Sequence, residues 1–283
     1  MLKNLNSGIF LVILSALAYS LITVILSLIS SSLEWSNYQV LFVRFLIAGT
    51  ICCIYCYRSI LKISKDQLKL LSVLSIFYVL TSIFLYIDIN KSGASSATAM
   101  LFSSPIFIIA FKSLQDKRLS LYLSATALLT TLGCILVNYS QSFELSFYSF
   151  LSPLCYSLYI WFSGKMNLSG DLKETGILLL NSALLLLVFN FSSITKEDYS
   201  LLSMHQFSLI IVVSLLSIFS ILFFLKGVTK IGATRSSIIA TTEPIFAVIL
   251  ASLVLEQYST PLQFTGVILI IISNILIITK KTT

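Results

Sequence analysis

Two charged side chains, Arg44 and Glu243, stand inside long apolar runs of the sequence. A charge at the centre of a bilayer costs about 2.5–3.5 kcal/mol on insertion scales, so such a residue is expected to face a partner, a cavity or a solute. At about 1.5 Å per helical residue, Arg44 lies roughly 9 Å and Glu243 roughly 15 Å below the outward end of its run. Either the two form a satisfied ion pair or bond to backbone near helix breaks, or Glu243 binds a proton or the amino group of a solute.

Aromatic side chains supply further polar handles at a similar depth. Tyr19 and Tyr156 occupy matching places in two similar segments, residues 15–21 and 152–158. Tyr78, Trp161 and Phe223 lie at comparable depth in their own runs. Aromatic walls with a few polar groups suit an amphipathic solute of amino-acid size or a flat cation. We therefore expect these five side chains to line a substrate pathway.

Pro105 and Pro244 interrupt two apolar runs at equivalent places, the second being the run that carries Glu243. Each proline removes an amide donor and frees the carbonyl four residues earlier, so the sequence predicts a pair of helix kinks. Ser104 precedes the first proline, and Thr242 stands two residues before the second, so both join the candidate pathway. The small residues ahead of each proline let helices approach closely. The two stretches are either paired gates or only packing seams.

The elements that must position these residues follow from composition. Of 283 residues, 57% are hydrophobic and 10% are charged, and the mean hydropathy is +1.00, which predicts a polytopic membrane protein. Apolar runs of the length that spans a bilayer fall near residues 7–30, 38–57, 70–87, 92–111, 119–138, 146–164, 175–194, 207–225, 235–254 and 262–279. The runs are continuous rather than alternating, which favours an all-α integral membrane fold with about ten transmembrane helices.

One stretch of the chain occurs twice without a gap. Residues 93–107, GASSATAMLFSSPIF, return as residues 232–246, GATRSSIIATTEPIF. This duplication predicts two repeats of five transmembrane helices each, residues 1–140 and residues 141–283. Because an odd number of spans makes the second repeat enter the membrane from the opposite side, we expect the repeats to be inverted.

The basic residues predict the orientation of the chain in the membrane. Fourteen of them fall on one predicted side: Lys3, Arg58, Lys62, Lys65, Lys69, Lys112, Lys117, Arg118, Lys165, Lys173, Lys226, Lys230, Lys280 and Lys281. Lys91 and Lys196 fall on the other side. By the positive-inside rule both termini are cytoplasmic. The positive-inside rule thus accounts for the net charge of +7, so the charge does not indicate a nucleic-acid partner.

Motifs for other chemistry do not occur in the sequence. The single histidine, His205, has no partner for a zinc-protease motif, and the pair Cys53 and Cys56 has no second pair to complete a metal site. The glycines near Lys226 lack the spacing of a phosphate-binding loop. We therefore expect no enzyme, no resident metal and no cofactor.

These features together resemble the drug/metabolite transporter superfamily, in particular its ten-helix EamA-type branch. The resemblance rests on residues 43–48 (VRFLIA), on the glycine-led segments that begin at Gly93 and Gly232, on residues 243–246 (EPIF), and on residues 253–256 (LVLE) followed by Gly266. The first repeat departs from the second, with Ser104 in place of Glu243 and Lys117 in place of Glu256. A polar role kept by the second repeat is thus missing from the first.

The resemblance implies a secondary transporter in the bacterial inner membrane that moves small organic metabolites by alternating access. Amino acids or related compounds are the expected cargo, with protons as a coupling ion and membrane lipid as surroundings. Two transport alternatives stay open, namely uptake of a cofactor-like metabolite and efflux of cationic drugs. A non-transporting membrane scaffold is the alternative from another class.

Overall fold

The computed structural model describes residues 2–30, 35–118, 120–139, 144–165, 168–191, 203–254 and 260–279, with side chains described from residue 5 to residue 28 in the first segment. Glu256, Lys196, Lys280 and Lys281, named above, lie outside these residues. The described part is helical and contains no strand. Its helices are α1 Leu2–Ser30, α2 Asn37–Tyr55, α3 Tyr57–Ile60, α4 Lys65–Ser92, α5 Ala94–Leu101, α6 Ser104–Asp116, α7 Leu121–Val137, α8 Tyr148–Lys165, α9 Leu172–Phe189, α10 Met204–Ile231, α11 Ala233–Ala240, α12 Glu243–Val254 and α13 Pro261–Thr279.

Each of the ten predicted apolar runs coincides with a helix or with two short helices in succession. Eight of these segments are long and apolar enough to cross a membrane, two of them made of the consecutive pairs α5–α6 and α11–α12. The other two runs hold α7, of 17 residues, and α8, of 18 residues. The prediction of an all-helical chain is therefore confirmed for the described residues, and the number of ten spans stays a prediction.

Two parts of the chain repeat each other closely in local structure. Ser64 and Ser203 each accept a hydrogen bond in a capping box and start helices of 28 residues, α4 and α10. Both helices end at a glycine with positive φ, Gly93 at 81° and Gly232 at 79°, a conformation that favours glycine. A helix of eight residues follows each glycine, α5 in one case and α11 in the other. The corresponding positions are 139 residues apart throughout.

The principal helix pairs join the first half of the chain to the second. α1 packs most extensively on α10, α2 on α9, α4 on α8 and α7 on α13. Glycines permit the closest of these approaches: a Cβ added to Gly266 would lie 2.6 Å from the backbone oxygen of Gly133. One core cluster extends from Ile9 on α1 to Ile277 on α13. The two halves therefore share a single interior.

The bundle has two ends that differ in charge and in shape. We call the end where α1 and α4 finish and α2 and α5 begin the cavity end, and the opposite end the basic end. Basic side chains near the final turns of helices at the basic end include Arg58, Lys112, Lys165, Lys226 and Lys230. Lys91 lies in the last turn of α4, at the cavity end. The charge asymmetry seen in the sequence is thus a property of the two ends.

Candidate functional site

A cavity of about 440 Å³ opens among the helices toward the cavity end. It brings together five of the nine predicted pathway residues, namely Tyr19, Arg44, Tyr78, Tyr156 and Glu243. Its remaining lining is Ile22, Thr23, Leu26, Ser27, Asn37, Leu41, Thr81, Ser82, Leu85, Tyr86, Ile89, Ala94, Thr98, Leu101 and Phe102. Residues that are more than 200 positions apart in sequence therefore form one site.

Glu243 occupies a helix break rather than the middle of a continuous helix. The apolar run that carries it consists of α11 and α12, separated by a turn at Thr241 and Thr242, and Glu243 is the first residue of α12. Pro244 lies in the first turn of α12, where a missing amide donor leaves no hydrogen bond unmade. The helix dipole places positive partial charge at this helix start, which favours a carboxylate at this position.

The equivalent break in the first half joins α5 to α6 through Phe102 and Ser103. Pro105 lies in the first turn of α6 as Pro244 does in α12. The sequence predicted kinks at these prolines. In the structure one helix ends and another begins after a turn of two residues. Because proline at the start of a helix fits its fixed φ, both prolines mark the beginning of the second helix of each pair.

Arg44 points a buried cation at the cavity from α2. Its residue is 8% exposed, and its guanidinium carbon lies 4.9 Å from the ring centroid of Phe45. Its Nε is buried without a hydrogen-bond partner. Within the described residues, no ion pair joins Arg44 to Glu243, although both line the same cavity. The expected satisfied ion pair is therefore not made in this conformation.

An aromatic cluster forms the floor of the cavity. The hydroxyl oxygens of Tyr19 and Tyr78 are 3.3 Å apart, and the Tyr78 ring lies 5.3 Å from that of Tyr159. Tyr156 and Phe224 each stack on Tyr159, with ring centroids 6.2 and 6.0 Å from it. The repeat-equivalent residues Tyr19 and Tyr156 thus belong to the same aromatic cluster. Such a floor presents ring faces and hydroxyls to a solute above it.

Four predicted pathway residues lie away from this cavity. Ser104 is buried, and its carbonyl accepts a hydrogen bond from the Ser157 hydroxyl at 3.0 Å. Trp161 lies toward the basic end, with Lys165 Nζ 4.3 Å from its ring. Phe223 packs beside Phe219 on α10, and the Thr242 hydroxyl bonds the carbonyl of Ile239 within the helix break.

Several lining residues were not among the predicted ones. Tyr86 and Ser82 follow Tyr78 at spacings of eight and four on α4, and all three line the cavity. That helical spacing puts them on one face, so Tyr78 was a sufficient signal to find them. Asn37 is the first residue of α2, and no sequence pattern singled it out, whereas Thr98 lies in the middle of α5, within the duplicated segment 93–107.

A second cavity, of about 300 Å³, reaches Glu243 from another side. It shares Thr23, Ala94, Thr98 and Phe102 with the first cavity and extends between α7, α12 and α13. Its further lining is Ser95, Val137, Asn138, Tyr139, Pro244, Ala247, Val248, Ala251 and Gln263. Glu243 therefore lies where the two cavities adjoin.

The basic end is closed by close helix packing. A Cβ added to Gly227 on α10 would lie 2.4 Å from the side chain of Val12, and one added to Gly164 would lie 3.0 Å from Ala233. A smaller space of about 210 Å³ is lined by Lys112, Gln115, Asp116, Trp161, Gly164, Lys165, Ala233 and Thr234. The aromatic floor and these contacts separate the large cavity from the basic end.

Multiple spanning helices, two interrupted helices and a cavity with buried charges together define a membrane transport protein. The family model described as the EamA-like transporter family matches the chain twice, at residues 6–139 and 141–279, and the chain belongs to this family. The resemblance seen in the sequence is thereby confirmed.

Two further comparisons agree with this assignment. A relative from Salmonella typhimurium strain LT2, described as the uncharacterized inner membrane transporter YicL, is 29% identical over 288 aligned positions that cover 96% of this chain and 95% of the relative. A solved crystal structure shares the fold with a TM-score of 0.78 at 12% identity, covering 96% of each chain. The chain is thus a multi-pass transporter of the bacterial inner membrane. Its partners are a small solute and the surrounding membrane lipid.

Proposed function

We propose that the protein is a secondary transporter that moves small organic metabolites, amino acids or related compounds, by alternating access of the large cavity. The observation that carries this proposal is the cavity itself: it holds Arg44 and Glu243, unpaired with each other, beside the hydroxyls of Tyr19 and Tyr78. Its volume of about 440 Å³ is in the range of small-molecule sites, roughly 300–1,000 Å³. Ionisable groups within a membrane span mark substrate or ion pathways.

Inverted repeats would supply the two conformations that alternating access requires. Support comes from the offset of 139 residues between α4–α5 and α10–α11 and from the pattern of helix contacts. α1 packs on α10, α11 and α12, and its counterpart α8 packs on α4, α5 and α6. Exchanging the two halves therefore leaves the main contacts unchanged, as a two-fold relation between repeats demands.

The cavity end faces the periplasm in this proposal. The positive-inside rule assigns the basic end and both termini to the cytoplasm, since basic side chains cluster where α2, α6, α8 and α10 finish. The described conformation then corresponds to one open outward and closed inward. By the repeat relation, the opposite state opens where Gly227 and Gly164 now make close contacts.

Glu243 is the proposed coupling residue. It lies where the two cavities adjoin and at the start of a half-helix, so a proton or the ammonium of a solute can reach it from the cavity end. Competition between proton and cargo for one carboxylate couples their movements. In proteoliposomes with an imposed pH gradient, the Glu243→Gln variant is expected to lose pH-driven accumulation, because an amide at position 243 takes up no proton. Unchanged pH-driven accumulation would remove Glu243 from the coupling step.

Counterflow in proteoliposomes tests the proposed function as a whole. Vesicles are loaded with an unlabelled amino acid, nucleoside derivative or cationic dye, and uptake of the labelled form is followed. Transient accumulation of amino acids is the expected result. Accumulation only of the dye would favour efflux of cationic drugs, and no accumulation by folded protein across the panel would support a scaffold. The cavity that reaches both Glu243 and Tyr156 speaks against the scaffold.

A further inference from the structure

We infer that the large cavity selects zwitterions, with Arg44 binding the carboxylate of the solute and Glu243 binding its ammonium group. This inference rests on the proposed function, because it concerns the substrate of the same cavity. It adds a role for Arg44 and a chemical rule for which solutes are carried.

Arg44 has the properties of a carboxylate-binding group. It is almost fully buried on α2, its Nε lacks a hydrogen-bond partner, and its guanidinium carbon lies 4.9 Å from the ring centroid of Phe45. A guanidinium presents five donors in a planar fork that matches a carboxylate in two parallel hydrogen bonds. Nothing among the described residues satisfies it.

Glu243 supplies the opposite charge on the other wall of the cavity. It makes no ion pair with Arg44, so each charge is available to a solute. A simple cation in the cavity would compensate Glu243 and leave Arg44 uncompensated, whereas a simple anion would compensate Arg44 and require Glu243 to take up a proton. An isolated charge in a low-dielectric interior is strongly unfavourable, so a solute that carries both charges is the one that the cavity stabilises.

Tyr78 connects the two charged walls. It lines the cavity together with Arg44 and Glu243, and its hydroxyl lies 3.3 Å from that of Tyr19. The two hydroxyls therefore offer hydrogen bonds to a solute held in the same cavity as the two charges. Ile22, Leu26 and Leu85 line the cavity beyond this polar region. The arrangement suits an α-amino acid whose apolar side chain points toward the cavity end.

Four probes separate the contributions of the two solute charges: leucine, leucinamide, isoamylamine and N-acetylleucine. Each is used as the unlabelled competitor of labelled leucine counterflow in proteoliposomes. With wild-type protein, we expect leucine to compete at least tenfold better than leucinamide and isoamylamine, which lack the carboxylate, and than N-acetylleucine, which lacks the ammonium.

Variants then assign the charges to residues. Arg44→Gln is expected to lose at least tenfold in leucine competition and to discriminate no longer between leucine and leucinamide, and Arg44→Lys is expected to restore part of that discrimination. Glu243→Gln should lose the discrimination between leucine and N-acetylleucine. Arg58→Gln, which removes an exposed cation at the basic end, is the matched control and should behave as wild type.

Three sets of results would overturn the inference. Equal competition by leucine and leucinamide in the wild type, or an Arg44→Gln variant that still discriminates between them, would refute the role of Arg44. If labelled leucine shows no counterflow but the cationic dye or the nucleoside derivative does, transport stands and zwitterion selection is refuted. If folded protein exchanges none of the compounds, the proposed function fails together with the inference. Size-exclusion elution and melting temperature show that each variant is folded.

Discussion

Asp88 makes the most quantitative test of how the two halves are held together. It is completely buried near the end of α4, and its Oδ1 accepts hydrogen bonds from the hydroxyls of Ser92, Ser146 and Ser149 at 3.0, 2.6 and 2.7 Å. Two of these donors belong to the segment that begins α8, in the second half. Its Oδ2 is buried without a partner. We predict that Asp88→Ala destabilises the protein measurably.

The magnitude follows from the number of hydrogen bonds lost. Interhelical hydrogen bonds in a membrane protein average about 0.6 kcal/mol, so the bonds from Ser146 and Ser149, together with the bond from Ser92 within α4 taken at the same value, amount to about 2 kcal/mol. Hydrogen bonds to charged groups in soluble proteins contribute about 1.5–3 kcal/mol each. The smaller membrane-protein value applies because polar groups of a chain unfolded in lipid also form hydrogen bonds. At about 2–4 °C per kcal/mol, the melting temperature should fall by about 4–8 °C.

The assay is thermal unfolding of detergent-solubilised protein, followed by a thiol-reactive dye or by loss of the monodisperse elution peak. Asp88→Asn keeps one carbonyl acceptor and should lose less stability than Asp88→Ala. The control Asp116→Asn changes an exposed carboxylate at the basic end and should leave the melting temperature unaltered. A wild-type melting temperature for Asp88→Ala would refute the reasoning, because the three serine hydroxyls would then be satisfied as well without the carboxylate.

Two other predictions concern helix packing and orientation. Gly266→Ala brings a Cβ to 2.6 Å from the Gly133 carbonyl oxygen, so it should destabilise the contact of α7 with α13 by about 1–3 kcal/mol. The neighbouring variant Thr265→Ala, at an exposed position, is the control and should leave stability unchanged. Equal melting temperatures for the two variants would contradict this prediction. The orientation is tested in a background without the five native cysteines. A membrane-impermeant maleimide should label Asn37→Cys from the periplasm, and should label Lys62→Cys only after the cytoplasmic face is opened. The reverse labelling pattern would contradict the proposed orientation.

Much of the fold was predictable because it depends on local features of the sequence. The duplicated segment that starts at Gly93 and Gly232 predicts the repeat, and both glycines adopt a positive φ that ends a long helix. Membrane spans are readable because a helix in lipid needs a continuous apolar run. At Pro105 and Pro244 the structure has a break between two helices, and the turn before each proline depends on several residues that no single proline reveals.

The candidate site was predictable where a residue is anomalous in its surroundings. Arg44, Glu243 and the repeat-related tyrosines fit that description, and the structure places them around one cavity. Asp88 escaped notice because it lies just past the predicted span, and its burial depends on serines from a distant segment. Trp161 lines a separate, smaller space toward the basic end. Depth in a span does not determine which way a side chain faces on its helix.

The pairing of helices across the two halves bears on the order of events during synthesis. When the ribosome has delivered the first half to the membrane, α1, α2 and α4 still await α10, α9 and α8. Asp88 must remain without Ser146 and Ser149 until translation passes them. The nascent first half therefore inserts as spans without their final neighbours, and the native bundle closes only when α13 arrives to cover α7.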